Sequence, residues 1–364
     1  MNKFKFYFIV LCAAVTLFSC GGGDDTRVSP PRDYAVQYVQ DTTAINEYLN
    51  NYHIEFTNNP TGNDDQDVVF SKKDDTHLSI MDMYKHNAAN GIYPQLLYKD
   101  VTLPNDDNNT VSYKVYYIKL RADSAEGQSP SEVDEVLTSY NGSYLTYVSS
   151  KVDDVTITTL TATPFEYTPF PELYFRLDRT IKGWSKMFPL FKSGTIETTQ
   201  GPNPTHYNNF GAGILFIPSG LAYFNFGTTV IPAYAPLIFS IKLYDVKRAD
   251  HDGDGILSND EDVNGNGDFT DDDTDDDKIQ NYLDTDDDGD GYSTKYETKK
   301  PAAALDPLNT DLYSGTSLYY PFSPTLDNPD TTDVNESETK GVPSCGSDYT
   351  TPTRVRKYLD PSCP

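Results

Sequence analysis

Between Asp250 and Glu297 the chain holds 19 Asp and Glu residues against 2 Lys, a net of −17 out of a whole-chain charge of −27. Like charge at this density repels itself and ordinarily leaves a segment open and solvated. The internal spacing argues for order. Asp250, Asp252, Asp254, Gly255 and Glu261 fit D-x-D-x-D-G-x5-E position for position, and Asp286, Asp288, Asp290, Gly291 and Glu297 repeat it in full. Two weaker copies lie between them: Asp262, Asn264, Asn266, Gly267 and Asp273, then Asp273, Asp275, Asp277 and Asp284 with Lys278 where glycine is expected. Alternate positions one, three and five present hard oxygen ligands, glycine at six allows the sharp turn, and the twelfth residue can bind bidentately, which suits Ca2+. A cation gives such a segment a reason to fold; the alternative is an acidic, metal-free linker. The second loop starts directly after the first ends, so no helix fits between them and paired EF-hands are not expected. Calcium is abundant outside cells and loops of this kind often bind it weakly, which favours a structural spacer over a switch.

A second constraint is Gly211–Val246, GAGILFIPSGLAYFNFGTTVIPAYAPLIFSIKLYDV. Ile214–Ile217 is an apolar run that stops at the turn signal Pro218-Ser219-Gly220. From Leu237 the pattern alternates: Leu237, Phe239, Ile241 and Leu243 face one way, Ser240 and Lys242 the other, as in a strand with one buried face. The loop between carries Tyr223, Phe224, Phe226, Val230 and Ile231, too much apolar surface for an ordinary solvated loop, so it packs down or lines a pocket. With 28 Tyr, 24 Pro, 23 Gly and a single Trp, the 364 residues suggest β-rich structure with long loops around one sizeable core.

The wording IPSGLAY…VIPAYAPLIFSIKL resembles the end of an FK506-binding-protein (FKBP) type peptidyl-prolyl isomerase. Ile181-Lys182-Gly183-Trp184 resembles that family's V-I-x-G-W segment, Val136–Gly142 the strand bearing its first pocket tyrosine, and Tyr147-Val148-Ser149-Ser150 its F-D-S-S turn. The resemblance implies an α+β fold, an antiparallel sheet wrapped on a short helix, over residues 101–247. It further implies that Trp184 floors a proline pocket walled by Tyr140, Tyr147, Phe175, Ile231 and Phe239. The Ile181 N–H and the Tyr223 hydroxyl would each bond a substrate carbonyl. The chain departs from the family where Val148 replaces the usual aspartate, Phe224 a common glycine and Leu173 a frequent aromatic. No catalytic cofactor is implied, and the five histidines show no metal-ligand spacing. The acidic array resembles thrombospondin type 3 repeats, in which calcium organises the chain.

Lys3 and Lys5 precede the apolar run Phe6–Phe18, which is too short to span a bilayer and ends in Leu17-Phe18-Ser19-Cys20. This resembles a bacterial lipobox, with Cys20 lipidated and the protein anchored to the outer membrane on its periplasmic or outer side; the alternative is a plain secretory signal. Cys345 and Cys363 are then a pair in an oxidising compartment, with a disulfide as the default over two free thiols. The boundaries read as a signal peptide at 1–20, a tether and N-terminal segment at 21–100, the isomerase-like domain, calcium loops at 250–297 and a loop-rich tail at 298–364. Within 21–100, Asp41 is expected to cap a helix Asp41–Tyr52 whose apolar face is Ile45, Tyr48, Leu49 and Tyr52, and a short strand is expected near Val68–Phe70. Lys151–Glu172 reads as a surface insertion. The pocket and the acidic array are expected on separate cores. Clients would be proline-containing polypeptides and the membrane would be met through the lipid alone. Nucleic-acid binding is excluded by the charge, and a monomer is expected. The rival reading is a non-catalytic binding module on a calcium-stiffened stalk.

Overall fold

The computed structural model describes residues 30–57, 66–104, 110–197, 206–309, 311–324 and 338–363. The leader, with Cys20, lies outside the described residues. The helices are α1 (Tyr34–Asn51), α2 (Ile80–Ala89), α3 (Lys182–Met187) and α4 (Thr294–Glu297). The strands are β1 (Tyr52–Thr57), β2 (Asp67–Lys72), β3 (Gln95–Pro104), β4 (Thr110–Lys119), β5 (Glu135–Val152), β6 (Val155–Thr168), β7 (Phe175–Arg176), β8 (Thr195–Glu197), β9 (His206–Asn208), β10 (Gly211–Ile217) and β11 (Leu237–Lys247).

The main sheet runs β3-β4-β10-β11-β5-β6 with β7 beside β5, every pair antiparallel. Every residue of β10 is buried, as a central strand covered on both faces must be. Its side chains divide by period two. Leu215 and Ile217 join Trp184, Met187 and Phe188 in one core, while Ile214 and Phe216 join Ile45, Tyr48, Leu49, Ile80 and Tyr84 in another. In β11 the predicted alternation holds, with Leu237, Phe239, Ile241 and Leu243 all in the first core. Each such side chain contributes about 1.5–3 kcal/mol by leaving water.

Several boundaries differ from the sequence-based expectations. Residues from Tyr34 onward are no tether: α1 and α2 cover the second face of the sheet, and the sheet itself begins at Gln95, not Val101. The face Ile45, Tyr48 and Leu49 is buried as expected, but Tyr52 already belongs to β1 and the short strand near Val68 is β2, its partner. Asp41 does not cap α1, which starts about two turns earlier at Tyr34. Its buried carboxylate instead accepts from Gln37 Nε2 and from the Ser219 N–H and hydroxyl, each at 2.7 Å. Long-range donors have claimed an oxygen that local sequence would assign to a helix end.

The turn expected at Tyr147–Ser150 is absent. β5 runs through those residues to Val152, paired with β6 throughout, and the reversal falls at Asp153-Asp154, whose φ of 49° and 63° make a two-residue hairpin turn. Lys151–Glu172 is therefore mostly sheet and not a surface insertion.

The acidic segment is not on a separate core either. His251 Nε2 lies 2.7 Å from the Val133 carbonyl, Phe269 and Tyr282 bury against Val133, and Lys186 of α3 comes within 3.8 Å of Asp268. The tail wraps the loops in short turns: Ile256 packs with Ala304, Tyr320, Val342 and Tyr358, and Lys300 pairs with Glu338 in full burial. A disulfide joins Cys345 and Cys363, whose Cα atoms are 5.7 Å apart. In the chain-entropy picture such a loop closure is worth about 3 kcal/mol.

Replacing Asp41 by Ala strands the buried Ser219 N–H and hydroxyl and removes one acceptor from Gln37. The expected loss is about 2–4 kcal/mol, seen as a lower denaturation midpoint with unchanged slope.

Candidate active site and acidic loops

At Gly183 an added Cβ would lie 2.4 Å from Ile217 Cγ2, so only glycine lets α3 sit this close to β10. That approach drives Trp184 under β5 and β11. Ile181 precedes the helix in extended conformation, and its carbonyl accepts from Trp184 N at 2.8 Å. The indole is 5% exposed. Three rings meet it edge-on: Tyr140 at 5.0 Å, Phe239 at 5.2 Å and Phe175 at 6.0 Å between centroids. Phe188 tilts against it at 5.0 Å. Edge-to-face pairs of this kind add about 0.5–1.5 kcal/mol each beyond area burial.

The loop between β10 and β11 closes on itself. The Thr228 hydroxyl accepts from Ile231 N at 2.9 Å while Thr228 N donates to the Ile231 carbonyl at 2.8 Å, and Ile231 is buried in the same core as Trp184 and Phe239. Phe224 stands at φ 41°, where glycine is cheaper. Its ring stacks on Tyr34 of α1 at 3.8 Å, which offsets the strain and ties the loop to the N-terminal helix. Tyr223 is 37% exposed. Among the described residues neither its hydroxyl nor the Ile181 N–H has a hydrogen-bond partner.

Tyr140, Phe175, Ile181, Trp184, Tyr223, Ile231 and Phe239 thus gather, but Tyr147 does not. It is 49% exposed and its hydroxyl donates to Glu47 Oε2 of α1 at 2.8 Å, while Val148 beside it is 50% exposed. A carboxylate does reach the site, from Glu166 rather than from the position of Val148: Glu166 Oε1 accepts from the Tyr140 hydroxyl at 2.7 Å. Gly142 pairs with Glu166 and Ser143 with Pro164, so Phe165 is the extra residue of a bulge. The bulge turns Phe165 inward against Phe239, at 5.7 Å, next to an acid on the same side. The aromatic–acidic pair Phe165-Glu166 was the available signal, masked by the look-alike at Tyr147. Burial first, then the bond to Glu166, pushes the Tyr140 hydroxyl up to about 12; burial and the charge of Glu166 raise Tyr223 as well. Leu173 is 76% exposed and outside the ring cluster.

Two other features lie apart. A cavity of about 830 Å³ opens on the reverse face of β5 and β11, past Leu137, Ser139 and Tyr244, with Lys242 and Asp67 bonded across it at 2.6 Å. The His53 and His77 rings, far apart in sequence, stack at 4.2 Å.

The four acidic loops share one internal pattern. In the first, Gly255 N donates to Asp250 Oδ2 at 3.2 Å, Asp254 N to Asp252 Oδ1 at 3.0 Å and Ile256 N to Asp254 Oδ1 at 2.7 Å. The same three bonds recur from Gly267, Asn266 and Asp268, from Lys278, Asp277 and Ile279, and from Gly291, Asp290 and Tyr292. Position six needs φ between 77° and 103°, and Lys278 adopts 80° in place of glycine, a strained conformation for a side chain. Asp250, Asp252 and Asp254 gather their oxygens within 4.8 Å, as do Asp273, Asp275 and Asp277, and Asp286, Asp288 and Asp290. In the second loop Asp272, rather than Asp273, faces Asn264, whose amide donates to it at 3.1 Å; Asp273 turns into the third loop instead. Burial first, then the nearby charges of Asp277 and Asp275, raises Asp284. Both oxygens of the buried Glu261 and Glu297 lack hydrogen-bond partners. Burial, then neighbouring carboxylates, pushes Glu261 up to about 11 and Glu297 to about 8. The donor set, hard oxygens left unsatisfied in alternate positions, fits Ca2+.

Trp184 is the sole tryptophan and therefore a clean reporter of this cluster. Phe239→Ala is expected to red-shift its emission and lower stability by about 3–5 kcal/mol; Tyr147→Ala should leave the emission unchanged.

Over 127 residues, 35% of its length, the chain is 30% identical to the FKBP-type peptidyl-prolyl cis-trans isomerase FkpA of Escherichia coli strain K12, and equally to FkpA of Escherichia coli O157:H7. The chain spans about a third, 36%, of the length of these curated relatives. Among solved structures, a peptidyl-prolyl cis-trans isomerase from Pseudomonas syringae pv. tomato matches at 22% identity and TM-score 0.26, covering 40% of this chain and 81% of that one. Escherichia coli FkpA matches at 25% identity and TM-score 0.25, covering 40% and 51%. The profile of a family described as BamM C-terminal matches residues 251–333, which take in most of the acidic loops. No helix among the described residues is long and apolar enough to cross a membrane. Over about a third of its length, then, this chain is similar to FKBP-type peptidyl-prolyl isomerases.

Proposed function

We propose that the protein is a peptidyl-prolyl cis–trans isomerase acting on X–Pro bonds of exported polypeptides. The observation that carries this reading is Trp184, buried beneath three edge-on aromatic rings. Rotation about an X–Pro bond faces a barrier of about 20 kcal/mol set by amide resonance. Lowering it needs neither nucleophile nor general base. The proline ring rests over Trp184 between Tyr140, Phe175, Phe239 and Ile231. The Ile181 N–H and Tyr223 hydroxyl take the substrate carbonyls on either side. Glu166 fixes the Tyr140 hydroxyl. A dry aromatic wall favours the twisted amide, whose nitrogen has regained its lone pair and whose carbonyl has lost resonance.

The same proposal has Cys20 carrying the lipid that anchors the protein to the outer membrane, with the match to the BamM C-terminal family in its favour. It has Ca2+ as a structural ion of loops 250–297, held by Asp250, Asp252, Asp254 and Glu261, by Asp286, Asp288, Asp290 and Glu297, and more weakly by the two intervening copies. Bound there, calcium supplies charge neutralisation; the chain's own aspartates already hold each loop in the turn that presents them.

A protease-coupled assay should show acceleration of X–Pro isomerisation. Tyr223→Phe should lower kcat/KM about three- to tenfold, the value of one hydrogen bond. Val148→Asp should change nothing, since that side chain stands on the outside of β5. A rate equal to the uncatalysed one from folded protein would shift the reading to a prolyl-peptide binding module without turnover.

Limited proteolysis should cut residues 250–297 in EGTA and spare them in calcium. Equal digestion in both would sink the structural-calcium reading.

A further inference from the structure

Asp287 lies in the fourth acidic loop but is not one of its alternate ligand positions, Asp286, Asp288 and Asp290. It points away from them. Thr294 holds it: the threonine hydroxyl donates to Asp287 Oδ2 at 3.1 Å, and Asp287 N lies 3.4 Å from the same hydroxyl oxygen. This leaves Oδ1 buried without a partner, on a residue only 1% exposed. Asp287 brings a carboxylate oxygen within 4.8 Å of oxygens from Asp254 and Glu261 of the first loop. Those two are each 2% exposed, and Asp254 Oδ2 and both Glu261 oxygens are also buried with no hydrogen-bond partner. Three carboxylates have thus been drawn from two loops into one dry spot, aimed at one another with no donor between them. At that separation, ionised together and out of water, they repel one another strongly. Such a cluster must take up protons or meet a cation, and hard oxygens converging from two loops suit the cation.

We propose that Asp287 is a ligand of the calcium ion of the first loop, completing with Asp254 and Glu261 a site that neither loop contains alone. This rests on the calcium reading above and goes beyond it. The ion then ties the first loop to the fourth, so the array closes into a ring of loops rather than running as independent beads. The chemistry asks for a hard cation that accepts six to eight oxygens at flexible angles, which is Ca2+ rather than Mg2+.

Calcium titration calorimetry on the full chain tests this, with Asp287→Asn, Asp250→Asn and Glu297→Gln singly and in pairs. Asp287→Asn should weaken the first-loop ion at least about tenfold. Combined with Asp250→Asn it should cost little more than Asp250→Asn alone, because both act on one ion. Combined with Glu297→Gln it should add, because that residue serves another. Thr294→Val, which keeps every carboxylate, should weaken the same ion about tenfold by releasing Asp287. Unchanged Trp184 emission certifies that the sheet domain is folded in each variant. An Asp287→Asn isotherm identical to the parent's, or a loss additive with Asp250→Asn but not with Glu297→Gln, would overturn the shared site while leaving calcium in the loops. No calcium binding by the parent chain would overturn the calcium reading itself.

Discussion

Burial of β10 on both faces is the constraint on which the rest of the structure depends. A strand with no exposed residue needs two covers, and this chain supplies them from segments on either side of it in the fold. α3 closes one face, with Gly183 against Ile217 and Trp184 beside it. α1 and α2 close the other. The aromatic site is a product of the first closure: the same approach that fills the core sets the indole at the bottom of a ring of side chains. The second closure reaches round to the site as well. Asp41 bonds Ser219 at the start of the Tyr223 loop, and Tyr34 stacks on Phe224 within it. An N-terminal helix therefore positions the loop that offers the tyrosine hydroxyl.

Local pattern reveals what local physics decides. The alternation in β11, the apolar run of β10, the buried face of α1 and the shared turn of the acidic loops are all legible in the sequence, since each depends on spacing within a few residues. Expectation and structure part wherever a distant partner decides the outcome. Asp41 has the composition of a cap, but Ser219 lies 178 positions away and wins it. Tyr147-Val148-Ser149-Ser150 looks like a turn in isolation, yet β6 pairs with it residue by residue. Phe165 and Glu166 enter the site only because a bulge puts consecutive side chains on one side, and no alternation rule reveals a bulge. Asp287 is hidden for the same reason: its neighbours fit the loop motif, and its own place is beside carboxylates of the first loop, well back along the chain.

The acidic loops and the sheet domain meet at Lys186, on the helix that carries Trp184. Its ammonium is 2.5 Å from Glu132 and 3.8 Å from Asp268 of the second loop. These contacts are unequal. The longer one reaches a half-exposed carboxylate and is worth at most about 1 kcal/mol, less in salt. The shorter lies wholly within the sheet domain and persists whatever the loops do. Against either, the burial of Trp184, Met187 and Phe188 contributes several kcal/mol and depends on no ion. The floor of the aromatic site is therefore held by packing against β10, and the loops touch it without supporting it. The shape of the chain beyond Lys247 accordingly rests on the loops' own contacts, and the arrangement of the aromatic site rests on the core alone.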